Sequence, residues 1–228
     1  MSYVIDAPTV PFLPIRGTDQ RFPIHRIYCV GRNYADHARE MGHDPDREPP
    51  FFFQKNPDTI VPDGGDFPYP EKSSNVHFEM ELVVALSSGG KDIAEGDAMS
   101  CVYGYAVGLD MTRRDLQGEA KKLGRPWEVG KAFEFAAPCS ELVPASAIGH
   151  PASGRVWLDV NGQRRQEGDI NQLIWNIPET ISYLSGLFTL APGDLIYTGT
   201  PAGVGAIERG DVMNGGVDGI GEITIRVT

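Results

Sequence analysis

Glycine and proline interrupt this chain too often to favour a helical bundle. Its 228 residues include 27 glycines and 18 prolines, which separate many short apolar runs. Short apolar runs bounded by glycine or proline are typical of strands joined by turns. The pattern predicts a turn-rich, mainly β fold, and a hydrophobic content of 41% is sufficient for one substantial core.

One predicted strand, residues 75–84, carries acidic side chains between its apolar residues. His77, Glu79 and Glu81 alternate with apolar neighbours, so we expect them on one face of the strand. Adjacent carboxylates repel each other, and a hard cation such as Mg²⁺ or Mn²⁺ relieves the repulsion by accepting several carboxylate oxygens. A solvated edge strand would show the same pattern, so this segment alone leaves both interpretations open.

Asp110 and Lys131 are further candidates for such a site. Asp110 follows the apolar run 102–109, where a carboxylate at a strand end is well placed to complete a metal site. Aspartate is equally suited to cap a helix over residues 113–122. Lys131 could stabilise a developing oxyanion near a metal ion, although a single lysine is more often a surface group.

A short helix is predicted over residues 34–41, with Asn33 as its N-cap and Gly42 as its stop. His37 and Glu40 are three residues apart and therefore neighbours on that helix. A carboxylate beside an imidazole fixes its tautomer, which is how a general base is commonly prepared. An exposed pair on a solvated helix is the alternative. A helix this short could also order over a bound ligand and act as a lid.

The charge and the cysteines restrict the possible partners and compartment. A formal net charge of −11 argues against binding to nucleic acid or to an anionic membrane, but permits a small anionic substrate. The three cysteines are scattered and indicate neither a disulfide framework nor a zinc site. There is no signal-peptide pattern and no apolar run near the ~18 residues of a membrane span. We therefore expect a cytoplasmic protein.

The second half of the chain contains several local signals. A hairpin is predicted over residues 156–166, with Asn161-Gly162 as a type I′ turn. Asp169 is expected to cap a helix, and Pro178 to start a second helical segment. Residues 222–227 alternate between apolar and polar, as in a half-buried strand.

Five short motifs occur in order along the chain: Gly31-Arg32-Asn33-Tyr34-Ala35-Asp36-His37, His77-x-Glu79-x-Glu81-Leu82, Leu109-Asp110-Met111-Thr112, Gly130-Lys131-x-Phe133 and Thr198-Gly199-Thr200-Pro201-x-Gly203-Val204-Gly205. Together they resemble the fumarylacetoacetate hydrolase superfamily from residue 23 to the C-terminus. Residues 39–42, 47–53, 186–188 and 215–219 look most like the branch that hydrolyses fumarylpyruvate in gentisate degradation.

The resemblance implies an α+β, mainly β architecture: a mixed β-sandwich roll with a few short helices. It also implies a homodimer. Residues 1–24 are rich in proline and lack sustained periodicity, so we expect an extended segment or a short ribbon there. The chain length suits one large domain, and we expect residues 25–228 to form a single catalytic domain. Some longer relatives use a fourth carboxylate ahead of the histidine, but Val30 and Arg32 occupy that region here. Only a site with three carboxylates is therefore expected.

Residue roles follow from the resemblance. It implies Mg²⁺ or Mn²⁺ held by Glu79, Glu81 and Asp110. His37 with Glu40 would activate water, and Lys131 would assist the oxyanion. The residues expected to face the oxo-acid end of the substrate are Arg114, Gln117 and Thr200.

The implied function is metal-dependent hydrolysis of the C–C bond in a 2,4-dioxo acid, with fumarylpyruvate giving fumarate and pyruvate. A short-chain acylpyruvate hydrolase, an oxaloacetate decarboxylase, a hydratase or isomerase, and a non-catalytic binding protein are the alternatives. The distinguishing feature is a cation for the distal carboxylate of fumarylpyruvate. The sequence offers four candidates without geometry: Arg39, Arg47, Lys55 and Arg125.

Overall fold

A computed structural model describes residues 3–41, 48–62 and 65–228. Within these ranges the chain forms eighteen strands: β1 (Phe12–Pro14), β2 (Arg21–Pro23), β3 (Arg26–Gly31), β4 (Phe51–Lys55), β5 (Ile60–Pro62), β6 (Asp66–Phe67), β7 (Val76–Phe78), β8 (Met80–Leu86), β9 (Val102–Leu109), β10 (Thr112–Arg113), β11 (Ala137–Cys139), β12 (Val143–Pro144), β13 (Arg155–Val160), β14 (Gln163–Asp169), β15 (Asp194–Tyr197), β16 (Gly205–Ala206), β17 (Val212–Val217) and β18 (Gly221–Val227).

The helices are few and short. Those described are α1 (Ala35–Glu40), α2 (Glu95–Ala98), α3 (Arg114–Lys122), α4 (Glu128–Lys131), α5 (Ala145–Ile148) and α6 (Ile177–Leu187), with single 3₁₀ turns at Pro57–Thr59, Met99–Cys101 and Ile170–Gln172. None of the helices in these ranges has the length and apolarity needed to cross a membrane.

Two large sheets form the body of the protein. The larger has the strand order β4-β3-β15-β8-β9-β11-β5, with β12 added on β9, and the smaller has the order β14-β13-β17-β18-β6. Both are mixed, since β3 with β15, β5 with β11 and β6 with β18 are parallel pairs among otherwise antiparallel ones. The prediction of a mainly β, mixed sandwich with a few short helices is confirmed.

Strand β8 is buried on both faces, which explains its continuous apolar sequence. Leu82 and Val84 belong to the main core, which also contains Ile225 from the smaller sheet. Val83 and Ala85 point the other way, into a second apolar cluster. The β1–β2 ribbon contributes to that second cluster through its own buried side chains, Leu13 and Phe22.

The predicted strand over residues 75–84 is interrupted at Glu79, and this corrects the expectation of one continuous face. Strand β7 pairs with β10 and β16 in a small three-stranded sheet, whereas β8 pairs with β9 and β15. The chain changes partners at Glu79, whose carbonyl accepts a 2.8 Å hydrogen bond from the Asp110 N–H. His77 is consequently separated from the two carboxylates.

Several local predictions can be compared directly. The hairpin forms between β13 and β14, and Asn161 and Gly162 both have positive φ, as a type I′ turn requires. The C-terminal strand is also confirmed. Asp169 caps a single 3₁₀ turn rather than the longer helix that was predicted. The next helix begins at Ile177, and its cap is Asn176.

Asn33 is not the N-cap of α1, contrary to prediction; Tyr34 occupies that position. The Asn33 side chain instead donates to the carbonyls of Trp175 and Thr198, and accepts from the Trp175 N–H at 2.7 Å. These long-range bonds outweigh the local capping preference. Gly42, the predicted helix stop, lies outside the described residues.

A buried carboxylate fixes the parallel pairing of β3 with β15. Asp194 is fully buried and accepts from Arg26 Nη2 at 2.8 Å, Arg26 Nε at 3.0 Å and the Ala191 N–H at 2.9 Å. His25 Nδ1 lies 2.8 Å from the same carboxylate. Because β15 leads into the loop at residues 198–205, this network also positions one wall of the candidate site.

We predict that Asp194→Ala lowers the free energy of unfolding by about 2–4 kcal/mol, because several hydrogen bonds are lost and Arg26 loses its counter-charge. Urea unfolding measures the change. Asp218→Ala is the control, since the Arg155–Asp218 pair spans 3.5 Å with both side chains about half exposed. That control should shift stability by less than about 0.5 kcal/mol. Equal effects in the two variants would contradict the structural role of Asp194.

Candidate active site

Three carboxylates meet where β8 and β9 pair. Glu79 precedes β8, Glu81 is its second residue, and Asp110 follows β9. The antiparallel register places Met80 opposite Leu109, so the flanking residues become neighbours. One oxygen of each carboxylate lies within 4.8 Å of the others, and all three side chains are buried.

Lys131, at the end of the one-turn helix α4, bridges two of these carboxylates. Its ammonium donates to Glu79 Oε2 at 2.8 Å, Asp110 Oδ2 at 2.7 Å and Thr112 Oγ1 at 2.7 Å. Burial lowers the pKa of Lys131, but Asp110 and Glu79 outweigh that effect and raise it. The lysine is therefore a fixed positive charge inside the site.

Two further cations surround the same carboxylates. Lys55 Nζ lies 2.8 Å from Asp110 Oδ1, outside hydrogen-bonding geometry, and donates to the Met111 carbonyl at 3.0 Å. Arg114 Nη2 donates to Glu79 Oε1, and Arg114 Nη1 donates to Gln117 Oε1 at 2.7 Å. Lys55 was a sequence candidate for a distal substrate carboxylate, and the structure places it at Asp110 instead.

The charges leave Glu81 without a cationic partner in the described part of the chain. Burial opposes ionisation of Glu79, but Lys131 and Arg114 hold its pKa well below the usual range. Burial, Asp110 and Glu79 together raise the pKa of Glu81 well above its usual range, and its Oε2 accepts the Gly199 N–H at 2.7 Å. A buried set of carboxylate oxygens, one of them on a side chain without an ion-pair partner among the described residues, fits a hard divalent cation.

His37 is buried on α1, and its Nδ1 lies 3.3 Å from Glu40 Oε2. The Glu40 carboxylate also accepts the Gly203 N–H, at 3.1 and 3.2 Å. Gly203 has φ +96°, and a Cβ there would overlap the Arg165 carbonyl. The loop at residues 198–205 thus holds the carboxylate that orients the histidine.

The residues predicted from sequence share one cavity. Its lining includes His37, Glu79, Glu81, Arg114, Gln117, Lys131 and Thr200. Glu40 and Asp110 lie behind this lining and contact it, through His37 and Lys131 respectively. The structure therefore brings together all nine predicted site residues.

Gln166 was not identified from the sequence, although it fixes the position of Thr200. It is fully buried on β14, donates to Thr200 Oγ1 at 2.8 Å and accepts the Met80 N–H at 3.0 Å. Thr200 in turn donates to the Met80 carbonyl at 2.9 Å. In the sequence Gln166 is one polar residue of a hairpin strand, and nothing local marks it as buried.

His77 lies beside the site but does not join the carboxylates. Its Nε2 is 2.9 Å from Asn75 Oδ1, and Arg114 Nε donates to its Nδ1 at 3.4 Å. Burial and then Arg114 lower the pKa of His77 to about 4. A neutral His77 thus acts as a hydrogen-bond acceptor that helps to hold Arg114.

The other cations proposed for a distal carboxylate do not line the cavity. Arg39 is exposed and pairs with Asp36, and Arg125 is exposed and lies 3.7 Å from Glu119. Arg47 lies outside the described residues. The lining instead contains Arg32 and Lys121, which the sequence did not single out for this role.

Comparison with known proteins identifies the family. The fumarylacetoacetate (FAA) hydrolase C-terminal domain matches residues 26–228. The chain belongs to the fumarylacetoacetate hydrolase family.

Several members of the fumarylacetoacetate hydrolase family are similar over most of the chain. A fumarylpyruvate hydrolase from Ralstonia sp is 49% identical over 180 residues, which is 79% of this chain and 93% of that protein. The mitochondrial oxaloacetate tautomerase FAHD1 of Rattus norvegicus is 45% identical over 201 residues, which is 88% of this chain and 90% of that protein.

Among solved structures of the family, a fumarylpyruvate hydrolase from Pseudomonas aeruginosa, in complex with Mn²⁺ and pyruvate, is 54% identical. It superimposes with a TM-score of 0.98, covering 100% of this chain and 99% of that one. The fold is thus that of a solved member of the family.

We predict that Glu81→Gln has opposite effects on stability and on metal binding. Because the folded-state pKa of Glu81 is raised, the metal-free fold loses stability as the pH rises above the unfolded-state pKa, and the loss is complete above the folded-state pKa. Near neutral pH the variant should therefore unfold at a higher temperature in EDTA. Its Mn²⁺ affinity should fall by at least ~10- to 100-fold, the loss typical for a residue that merely supports a ligand.

The exposed Glu222→Gln is the control for charge removal and should change neither quantity. Thermal unfolding in EDTA and Mn²⁺ calorimetry give the two readouts. Retention of full Mn²⁺ affinity by Glu81→Gln would contradict a ligand role for Glu81.

Proposed function

We propose that this chain is a divalent-metal-dependent hydrolase that cleaves the C–C bond of a 2,4-dioxo acid, converting fumarylpyruvate to fumarate and pyruvate. The observation that carries the proposal is the buried carboxylate trio, which shares one cavity with the His37–Glu40 pair. Similarity to two fumarylpyruvate hydrolases, one of them solved with Mn²⁺ and pyruvate, supports the choice of substrate and metal.

Glu79, Glu81 and Asp110 would hold Mg²⁺ or Mn²⁺ through their carboxylate oxygens. When bound there, the ion supplies Lewis acidity beside the oxo-acid end of the substrate. Within the protein, burial and the neighbouring carboxylates disfavour the charged form of Glu81, and a bound cation would relieve this, whereas Glu79 and Asp110 already pair with Lys131.

His37 would be the general base. With its Nδ1 proton directed to Glu40, its Nε2 is free to take a proton from water. The water oxygen attacks the carbonyl carbon remote from the pyruvate unit, and the C–C bond breaks with its electron pair leaving on pyruvate. The proton held on His37 then passes to that carbon, so hydroxide ends on fumarate and hydrogen on pyruvate.

The remaining residues would position the oxo acid and stabilise charge. Arg114, Gln117 and Thr200 line the cavity and would face the carboxylate and carbonyl of the pyruvate unit. Arg114 is preorganised by Glu79 and Gln117, so it need not be ordered when substrate binds. Lys131 would stabilise the developing oxyanion electrostatically.

The proposal includes a cytoplasmic homodimer in which residues 25–228 form the catalytic domain and residues 1–24 an extended segment. Buried, unpaired Cys29, Cys101 and Cys139 support a reducing compartment. The family resemblance supports the dimer.

A second candidate function is acylpyruvate hydrolysis with a short acyl chain, or decarboxylation of oxaloacetate. The similarity to oxaloacetate tautomerases at 45% identity favours keeping oxaloacetate as a test substrate. All of these reactions develop charge on a pyruvate unit at the same metal site. Rates for fumarylpyruvate, acetylpyruvate and oxaloacetate, measured side by side, separate them.

We predict that His37→Ala reduces kcat for fumarylpyruvate by ~10²- to 10⁴-fold, because the positioned base is lost. Its Mn²⁺ affinity should not change, since His37 is not one of the proposed ligands. Loss of the enol absorbance of fumarylpyruvate gives the rate, and EDTA should abolish it. Glu40→Gln should reduce kcat less than His37→Ala, because the base remains.

If His37→Ala lost Mn²⁺ affinity in parallel with its rate, that result would contradict the assignment of His37 as the base. Metal-independent turnover, or no turnover of any of the three substrates by the unmodified protein, would sink the proposed function itself.

A further inference from the structure

Two cations line the cavity without a part in the reaction described above. Arg32 follows β3, and Lys121 lies in the last turn of α3. Neither forms an ion pair with a carboxylate of the described ranges, whereas Lys131 and Arg114 in the same cavity do. They are therefore available to a ligand.

The backbone at Arg32 is strained, with φ +56°. A non-glycine residue in the left-handed region costs on the order of 1–3 kcal/mol and persists where the surroundings impose it. Gly31, immediately before it, packs against the ring of Phe51, where a Cβ would overlap. The Arg32 guanidinium lies over the same Phe51 ring, with its Cζ 5.2 Å from the centroid.

Aromatic rings form a continuous wall from the carboxylate trio to these cations. Lys131 Nζ lies 4.8 Å from the centroid of Phe53, whose ring is 5.7 Å from that of Trp127. The Trp127 ring in turn lies 5.5 Å from that of Phe51, edge to face. Phe51 and Phe53 are two apart on β4, which places both on one face.

The far end of this wall is positively charged. Arg32 lies over Phe51, and Lys121 Nζ lies 4.9 Å from the centroid of Trp127. Burial, then Arg114 and Arg32, lower the pKa of Lys121 to about 8. Like charges held together without a counter-anion are relieved when a carboxylate binds between them.

We propose that Arg32 and Lys121 bind the terminal carboxylate of the acyl half of a dicarboxylic 2,4-dioxo acid. The flat, conjugated acyl chain lies along Phe51, Phe53 and Trp127, with its pyruvate end at the carboxylate trio. This assignment rests on the proposed function and makes the pair the determinant that selects fumarylpyruvate over acyl groups that end in methyl.

The test compares Arg32→Gln and Lys121→Gln with the unmodified protein, all loaded with Mn²⁺. For fumarylpyruvate, kcat/KM should fall by ~10- to 100-fold in each variant, because a charge-assisted hydrogen bond to the substrate is lost. For acetylpyruvate, which has a methyl group in place of the distal carboxylate, kcat/KM should stay within about twofold, since no contact is removed. Lys122→Gln, at the exposed neighbouring lysine, is the matched control and should change neither value.

Arg32→Lys keeps the charge and should restore part of the activity on fumarylpyruvate. Unchanged kcat/KM for fumarylpyruvate in both glutamine variants would overturn the assignment. Equal losses on the two substrates would do the same, because they would indicate a general structural role.

A binding measurement separates this inference from the proposed reaction. Calorimetry compares fumarate with crotonate, in which a methyl group replaces one carboxylate. Tighter binding of fumarate that is lost in Arg32→Gln and Lys121→Gln supports the subsite even if the protein does not hydrolyse fumarylpyruvate. Equal binding of the two probes by the unmodified protein overturns it, whatever the turnover.

Discussion

The burial of adjacent carboxylates is the constraint on which this structure depends. Glu79, Glu81 and Asp110 lose hydration and repel one another when they are withdrawn from water. Two buried ammonium groups, those of Lys55 and Lys131, offset the charge of Asp110 and Glu79. Glu81 accepts a hydrogen bond from a backbone N–H instead. Arg114 adds a third cation at Glu79, so Glu81 is the carboxylate that has no cationic partner among the described residues.

Features set by sequence neighbours were predictable, and features set by distant partners were not. Asn161 and Gly162 determine their turn by themselves, so the hairpin follows from local chemistry. Asparagine is a favoured helix N-cap, but the Asn33 side chain hydrogen-bonds to the backbone of Trp175, far along the chain. The strand is broken at Glu79 because the residues before it pair in one sheet and the residues after it pair in another.

The candidate site shows the same division. Motif order along the chain identified the carboxylates and the His37–Glu40 pair, because each position belongs to a recognisable local pattern. The cations that line the cavity were harder to predict, because the sequence does not show where a lysine or arginine side chain points. Lys55 became a partner of Asp110, whereas Lys121 reached the cavity because the last turn of α3 faces Trp127. Such choices depend on packing that spans the whole fold.

The Glu40 carboxylate contacts two groups at once, the imidazole of His37 and the backbone N–H of Gly203. The Gly203 N–H therefore fixes the position of the Glu40 carboxylate, and through it the orientation of the His37 ring. His37 and Glu40 both belong to α1, so the imidazole keeps its carboxylate partner within the helix, whereas the Gly203 amide anchors that pair beside the carboxylate trio. A change in the backbone at residue 203 would therefore misdirect the imidazole without altering either member of the His37–Glu40 pair.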